Sequence, residues 1–171
     1  MANDPQTFQF DDDGETPNNP RLPLVLYRGA IDVKAAGDPA AAFEKIFARH
    51  GWGDGWRNGI HDFLHFHTRT HEVLGVARGR AKVEFGGAKC CAVELQAGDV
   101  AILPAGIGHR RLSCSTDLLV VGAYPANGAI DETRPGKVSH DKAVADVAKT
   151  PLPQQDPVFG ANGPLKTLWK I

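Results

Sequence analysis

The amino-acid sequence predicts a mainly β protein, a sandwich or barrel around one core, preceded by a single helix. Between Gly59 and Tyr124, short apolar or alternating segments recur about every ten residues and are separated by glycine-containing turns. Before this region, one segment carries both the start and the stop signals of a helix. The 171 residues, 42% of them apolar, are enough for one domain with a substantial core.

The N-terminal part of the chain combines an irregular arm with the predicted helix. Residues 11–23, DDDGETPNNPRLP, are rich in turn-forming residues and predict irregular structure. The helix is predicted over DPAAAFEKIFARHG, because Asp38 suits the N-cap and Pro39 the first helical position. Gly51 can end it. One face of this helix is apolar and carries Phe43, Ile46 and Phe47.

Strands are predicted where apolar residues alternate with polar ones or form short continuous runs. AKVEF alternates apolar and charged residues, Gly86-Gly87 is a turn signal and CAVEL resumes the pattern, so we expect a hairpin. The predicted strands cover residues 24–27, 81–85, 91–95, 100–104 and 117–124.

After Tyr124 the strand pattern ends, and residues 125–171 are rich in proline and glycine. They keep several large apolar side chains, so we expect this arm either to pack on the barrel or a partner subunit, or to be a disordered tail. The sequence therefore predicts one domain, residues 1–171, in three parts: the N-terminal arm and helix (1–58), the barrel core (59–124) and the C-terminal arm (125–171).

Charge and hydropathy argue against nucleic acid and membranes as partners. Nineteen basic and twenty acidic residues give a net charge of −1, and no block of Lys and Arg stands out. No apolar run approaches the roughly 20 residues that span a bilayer. Since the N-terminal residues lack the features of a signal peptide, we expect a cytoplasmic protein with reduced cysteines. Cys90 and Cys91 are adjacent, but the CxxC spacing that would favour a redox or metal role is absent.

The stretch HFHTRTHE, residues 65–72, concentrates three histidines and a glutamate. His65 and His67 are two positions apart, so on a strand both imidazoles lie on the same face. Two convergent imidazoles suit a divalent metal, and Glu72, after the following turn, can add a carboxylate ligand. Taken alone, the pair would also be consistent with two solvated strand histidines.

Two patterns of fixed spacing surround these residues. The first is Gly59, five residues, His65-Phe66-His67, four residues, Glu72, six residues, Gly79. The second is Gly98, five residues, Pro104-Ala105-Gly106, two residues, His109, three residues, Ser113. Here the chain resembles the cupin superfamily, with motifs G-x5-H-x-H-x3,4-E-x6-G and G-x5-P-x-G-x2-H-x3-N. Only Ser113 departs from them. The resemblance implies a double-stranded β-helix, or jelly-roll, barrel and a homodimer.

Longer stretches, including HTRTHEVLGVARGRAKVEFGG and GDVAILPAGIGHRRL, look like the bacterial YjlB-like cupin subfamily. That similarity extends over nearly the whole chain and implies fold and site, since the subfamily has no established reaction. The resemblance also implies one divalent metal ion per chain, whether iron, manganese, nickel or zinc, with ligands at His65, His67, Glu72 and His109. His71, beside Glu72, is an alternative ligand or a hydrogen-bonding partner of one.

Residues with the same strand parity as the ligands are expected to line a pocket: His61, Phe63, Leu74, Val76 and Arg111. His61 is either a general base near the metal or a structural histidine at the mouth. Arg111 either binds a substrate carboxylate or reaches solvent at the end of its strand.

The sequence offers no glycine-framed nucleophile and no phosphate-binding loop, so any chemistry passes through the metal. We expect a metal-dependent enzyme, either a dioxygenase-type oxidoreductase or an isomerase, acting on a small polar organic molecule. A binding or sensing module and a purely structural metal site are the alternatives.

Overall fold

A computed structural model describes residues 4–88 and 90–171. These residues form nine strands and three helices. The strands are β1 (Gln6–Phe10), β2 (Asn19–Tyr27), β3 (Trp52–Asn58), β4 (Glu72–Arg78), β5 (Arg80–Phe85), β6 (Cys91–Gln96), β7 (Val100–Leu103), β8 (His109–Cys114) and β9 (Leu119–Pro125). The helices are α1 (Pro39–Arg49), α2 (His140–Lys149) and α3 (Pro164–Leu168). None of these helices has the length and hydropathy needed to cross a membrane.

The strands form two antiparallel sheets. The larger has the order β1-β2-β7-β4-β9-β3 and the smaller has the order β6-β5-β8. Strands that neighbour each other in the larger sheet, such as β4 with β7 and β9, are separated along the chain by strands of the smaller one. This mainly β, jelly-roll arrangement confirms the predicted fold class.

Alternation along the strands of the larger sheet divides the core into two layers. In β4, Val73 and Ala77 face the layer beneath α1, whereas Leu74 and Val76 face the layer between the two sheets. Glu72 has the same parity as Leu74. The first residue of β4 is therefore turned toward the space between the sheets.

Helix α1 forms where the sequence predicts it. Asp38 is the N-cap, and its carboxylate accepts the backbone N–H of Ala41 at 3.2 Å. Phe43 and Phe47 are fully buried on the larger sheet. Phe43 lies directly over Gly75, where an added Cβ atom would come within 2.3 Å of the ring. The missing side chain of Gly75 therefore allows α1 to approach β4.

The last part of the chain is tied to β2 through a buried carboxylate. Asp156 is inaccessible to solvent and accepts the hydroxyl of Tyr27 at 2.5 Å. It also accepts the backbone N–H of Val158 at 2.8 Å. Beyond it, Leu165 and Trp169 are buried in the layer beneath α1.

The structure differs from the sequence expectation at four elements. Residues 19–23, expected to be irregular, begin β2, and neither β1, β3 nor β8 is apparent in the sequence. In β3, WGDGWRN contains two glycines and its pairing with β9 is interrupted between Gly53 and Trp56. In β8, HRRLSC is largely polar and partly exposed. Pairing with neighbouring strands, rather than alternation of side chains, defines these elements.

Candidate metal centre

Three imidazoles and one carboxylate meet between the two sheets. The ligand nitrogens of His65, His67 and His109 lie within 4.8 Å of one another, and all three residues are buried. Oε2 of Glu72 lies 3.2 Å from Nε2 of His67 and 3.3 Å from Nε2 of His109. The structure therefore brings together the four residues that the sequence singles out as ligands. These four residues are called the metal centre below.

Backbone pairing positions the four side chains. Glu72 opens β4 and His109 opens β8. Instead of a long strand, the segment before β4 forms isolated bridges, His65 with His109 and Phe66 with Thr133. The first bridge has N–H to O distances of 2.9 and 3.2 Å. This local pairing suffices to turn both imidazoles of the H-x-H pair to the same side.

Each imidazole is oriented by a backbone carbonyl. Nδ1 of His65 lies 3.0 Å from the carbonyl oxygen of Phe63, and Nδ1 of His109 lies 3.0 Å from that of Ile107. Nδ1 of His67 meets the carbonyl of Asp131. A carbonyl only accepts hydrogen bonds, so Nδ1 carries a proton in each ring and Nε2 is the nitrogen left to bind a metal.

Two buried atoms of the metal centre have no hydrogen-bond partner among the described residues, Nε2 of His67 and Oε2 of Glu72. They lie 3.2 Å apart, a distance at which the two residues attract each other as an ion pair when His67 is protonated. Such orphaned atoms are costly unless something else satisfies them. Adjacent ligands about 2.1 Å from a tetrahedral or octahedral metal lie roughly 3.0–3.4 Å apart. The residues therefore fit a divalent ion.

The electrostatics of these four residues also favour a cation. Burial lowers the pKa of His65 to about 3, so its ring is neutral at physiological pH. Burial also acts to lower the pKa of His67, but the Glu72 carboxylate outweighs it and the net pKa is raised. Burial acts to raise the pKa of Glu72, yet His67 and His109 hold it well below its ordinary value. Glu72 is thus an anion in a buried site.

Asp131, in the C-terminal arm, holds the loop between the ligands. Its carboxylate accepts the backbone N–H of Thr68 at 2.9 Å, the Thr68 hydroxyl at 2.7 Å and the N–H of Arg69 at 2.9 Å. Its carbonyl orients His67. Sequence reasoning missed Asp131 because it lies 64 residues from His67, and no local motif marks it.

A cavity of about 240 Å³ adjoins the metal centre. It is lined by three of the four candidate ligands and by a set that includes Trp56, Ile60, His61, Leu74, Tyr124 and Glu132. The indole N–H of Trp56 donates to the hydroxyl oxygen of Tyr124 at 2.9 Å. Burial and the nearby Glu72 carboxylate raise the pKa of Tyr124, so the phenol keeps its proton. Sequence reasoning missed Trp56, Tyr124 and Glu132.

His61 and Glu132 stand half-exposed at the cavity. Nε2 of His61 lies 3.4 Å from Oε2 of Glu132. The His61 ring stacks on Phe63, with ring centroids 4.5 Å apart, and the guanidinium of Arg134 lies 3.5 Å from the centroid of Phe63. Phe63 therefore supports His61 rather than lining the cavity itself.

Two further residues expected to line the pocket lie elsewhere. Val76 is fully buried in the layer between the sheets, further along β4 than the cavity. Arg111 is half-buried; its backbone N–H donates to the carbonyl of His61 at 2.8 Å. Nη1 of Arg111 approaches Sγ of Cys114 at 3.4 Å, and Arg111 is not among the residues that line the cavity. Strand parity predicts the face on which a side chain lies, but not how far along the barrel it lies.

His71 does not share the site of its neighbour Glu72. Its Nδ1 accepts the backbone N–H of Ala105 at 2.9 Å, and its Nε2 donates to the carbonyl of Pro151 at 3.1 Å. The ring packs on Trp169, with centroids 4.8 Å apart, and burial lowers the pKa of His71 to about 4. Both nitrogens of this neutral ring are thus engaged, which excludes His71 as an alternative ligand in this conformation.

Comparison with known proteins identifies similar sequences and folds. A family model described as Cupin matches residues 57–156. The uncharacterized protein YjlB of Bacillus subtilis (strain 168) is 38% identical over 169 residues, which cover 99% of each chain.

Among solved structures, an acireductone dioxygenase from Bacillus anthracis with a cadmium ion in its active centre is 18% identical, with a TM-score of 0.37. The match covers 53% of this chain and 62% of that one. A mutant oxalate decarboxylase of Bacillus subtilis is also 18% identical, with a TM-score of 0.37 over 67% of this chain and 24% of that one. Neither superposition is close enough to bear on activity.

Proposed function

We propose that this chain, which belongs to the cupin family, binds one divalent metal ion through His65, His67, Glu72 and His109. The observation that carries the proposal is the hydrogen bonding of the donor atoms. Three imidazoles have Nδ1 held by carbonyls, and the buried Nε2 of His67 and Oε2 of Glu72 have no hydrogen-bond partner among the described residues. Nitrogen and oxygen donors of this kind suit iron, manganese, nickel or zinc.

We propose that the bound ion serves a metal-dependent enzyme, of the dioxygenase or the isomerase type. Three imidazoles and one carboxylate would provide four ligands, fewer than the six that an octahedral ion takes, and the cavity of about 240 Å³ adjoins three of these four residues. When bound, the metal supplies Lewis-acid polarisation and, if it is redox-active, electron transfer. The size of the cavity favours a small organic substrate, and the polar side chains of Tyr124 and Glu132 in its lining favour a polar one.

The cavity residues suggest how the chain itself contributes. The oxygen of Tyr124 accepts the indole N–H of Trp56, so its own O–H is left to donate to another acceptor, either the nearby Glu72 carboxylate or a substrate atom. Leu74 and Ile60 provide apolar walls that limit water. His61, beside Glu132, is placed to accept or return a proton at the mouth of the cavity.

Metal content measured by mass spectrometry tests the proposed site. Protein purified without chelators or a metal-affinity tag should hold about one metal per chain, and His65→Ala or His67→Ala should lose it. His71→Ala should keep most of the metal, because both nitrogens of His71 are bound by backbone groups. Metal retained at the wild-type level in either of the first two variants contradicts the proposal.

A non-catalytic binding or sensing module is the second candidate. The volume of the cavity, about 240 Å³, is below the roughly 300–1,000 Å³ of typical ligand pockets. A small metabolite chelated to the metal would therefore fill the cavity, whether or not it is converted. Turnover or dioxygen consumption by protein loaded with iron or manganese would support the enzyme. Saturable ligand binding without turnover would support the module. The cavity beside the ligands argues against a purely structural metal.

We further propose a cytoplasmic homodimer. Strands β1 and β3 are the edges of the larger sheet, and an open edge is a pairing surface that proteins tend to cover. Size-exclusion chromatography with light scattering should give twice the chain mass, and a monomer mass would contradict the dimer.

The proposed cytoplasmic location rests on the cysteines. The free, exposed thiols of Cys90, Cys91 and Cys114 are compatible with a reducing compartment.

A further inference from the structure

A groove of about 680 Å³ lies outside the metal centre. It is formed by residues 17–22, by helix α2 with the segment after it, and by residues 168–170. Its lining shares no residue with the cavity beside the metal centre. His71 and Trp169 form part of it. Its volume is within the range of roughly 300–1,000 Å³ typical of small-molecule sites.

The wall provided by α2 and the segment after it is apolar and open to solvent. Val144 on α2 is 39% exposed and Leu152 is 37% exposed, although both are large apolar residues. Helix α2 buries only Ala143, so its remaining apolar side chains are left without full cover. Leu22 and Leu168 continue the apolar lining across the groove. Contiguous exposed apolar surface commonly marks a binding site.

Two cationic side chains also line this groove, Arg21 and Lys170. Neither forms an ion pair with an acidic group in the described part of the chain. The acidic residue of the lining, Asp12, is already paired with His140 at 2.8 Å. The groove therefore offers two uncompensated positive charges beside an apolar wall.

We propose that this groove binds an amphipathic organic anion. Its unbranched apolar chain lies against Val144, Leu152 and Trp169, and its carboxylate lies near Arg21 and Lys170. His71 does not compete for the ligand, since backbone groups satisfy both of its nitrogens. The site is separate from the metal centre and does not depend on the proposed metal chemistry.

Calorimetric titration of the full chain with octanoate, and with 1-octanol as the uncharged counterpart, tests the proposal. Octanoate should bind with a dissociation constant on the order of 0.1–1 mM, and 1-octanol more weakly. Binding should shift the indole N–H resonance of Trp169 in a proton–nitrogen spectrum, while those of Trp52 and Trp56 stay in place. No saturable octanoate binding, or a shift at Trp56 instead, overturns the proposal.

Surface variants separate the two contributions. Arg21→Gln with Lys170→Gln should raise the dissociation constant of octanoate about three- to tenfold and leave that of 1-octanol unchanged. Val144→Glu should abolish binding of both. Leu112→Glu, a matched change at another exposed apolar residue (43% exposed), should have no effect. An equal loss in Leu112→Glu overturns the site.

A second copy of the chain is the competing occupant of the groove. Light scattering of wild type and Val144→Glu distinguishes it from a small ligand. A dimer that Val144→Glu converts to monomers, in a protein that does not bind octanoate, would assign the groove to a chain–chain contact and overturn the proposal. The same oligomeric state in both proteins, with octanoate binding lost only in the variant, supports it.

Discussion

Replacing Asp131 with alanine should loosen the metal centre without removing a ligand. The Asp131 carboxylate accepts hydrogen bonds from three donors, the backbone N–H and hydroxyl of Thr68 and the backbone N–H of Arg69. A hydrogen bond to a charged group contributes about 1.5–3 kcal/mol, and a buried donor left unpaired costs about 1–3 kcal/mol. Thr68 is buried, whereas Arg69 can turn to water. We therefore expect the free energy of unfolding to fall by about 2–4 kcal/mol.

The effect of Asp131→Ala on metal affinity should be larger than a general loss of stability can explain. Removing a group that orients a ligand typically weakens metal binding about 10–100-fold, or roughly 1.4–2.7 kcal/mol. His67 is the ligand affected, because Asp131→Ala keeps the backbone carbonyl that orients His67 but removes the carboxylate contacts to Thr68 and Arg69 that hold this carbonyl in place. The assay is a competition titration of zinc against a chromophoric chelator.

Asp32→Ala is the matched control for this variant. Asp32 also accepts backbone N–H groups through its carboxylate, from Lys34 at 3.1 Å and Ala35 at 3.3 Å, but it lies outside the metal centre and the lining of its cavity. Its removal should leave the zinc dissociation constant unchanged. An unchanged affinity in Asp131→Ala, or an equal change in Asp32→Ala, would refute the role of Asp131.

Three further predictions concern the core and the pH dependence of metal binding. Tyr27→Phe removes a hydrogen bond to the buried Asp156 carboxylate and should lower the urea-unfolding free energy by about 1.5–3 kcal/mol; an unchanged midpoint contradicts this. Gly75→Ala places a Cβ atom within 2.3 Å of the Phe43 ring and should lower the free energy of unfolding, measured by thermal unfolding, by about 1–3 kcal/mol. In the control Gly37→Ala the added Cβ atom meets no atom within 4 Å, so the free energy of unfolding should fall by less. The raised pKa of His67 means that the metal-free protein holds a proton there near neutral pH, so metal binding should release about one proton and tighten as pH rises. Calorimetry in buffers of different ionisation enthalpy checks this, and a pH-independent affinity would argue against it.

Local physical chemistry was enough to predict several elements. The N-cap of α1 at Asp38, its proline and its apolar face are all contained in a dozen consecutive residues, and the helix forms there. The hairpin of β5 and β6 follows from alternation around the two glycines, with Val83 opposite Val93. In both cases the forces that define the element act between residues close in the chain.

The strands that the sequence did not reveal depend on distant partners. Strand β3 pairs with β9, whose residues lie more than sixty positions further along, and β8 pairs with β5, from which β6 and β7 separate it along the chain. Trp56 shows the consequence, because its indole packs over Gly122, where a Cβ atom would come within 2.1 Å. No pattern within WGDGWRN indicates this contact.

For the candidate site, the fixed spacing of two motifs singled out the four residues that the structure brings together. The sequence did not indicate the groups around these four residues, because they belong to no motif of fixed spacing. Asp131 and Glu132 reach the centre from the C-terminal arm, and Tyr124 from the end of β9, so only the folded chain brings them together. Parity along a strand placed Leu74 at the cavity but could not show that Arg111 is not part of its lining.

The central claim is that the four residues bind one metal ion, and anomalous diffraction from crystals of metal-loaded protein tests it most directly. We expect one anomalous peak per chain, about 2.0–2.2 Å from Nε2 of His65, His67 and His109 and from Oε2 of Glu72. A peak at another site, such as the exposed thiols of Cys90 and Cys91, or no ordered peak in crystals grown with excess metal, would contradict it.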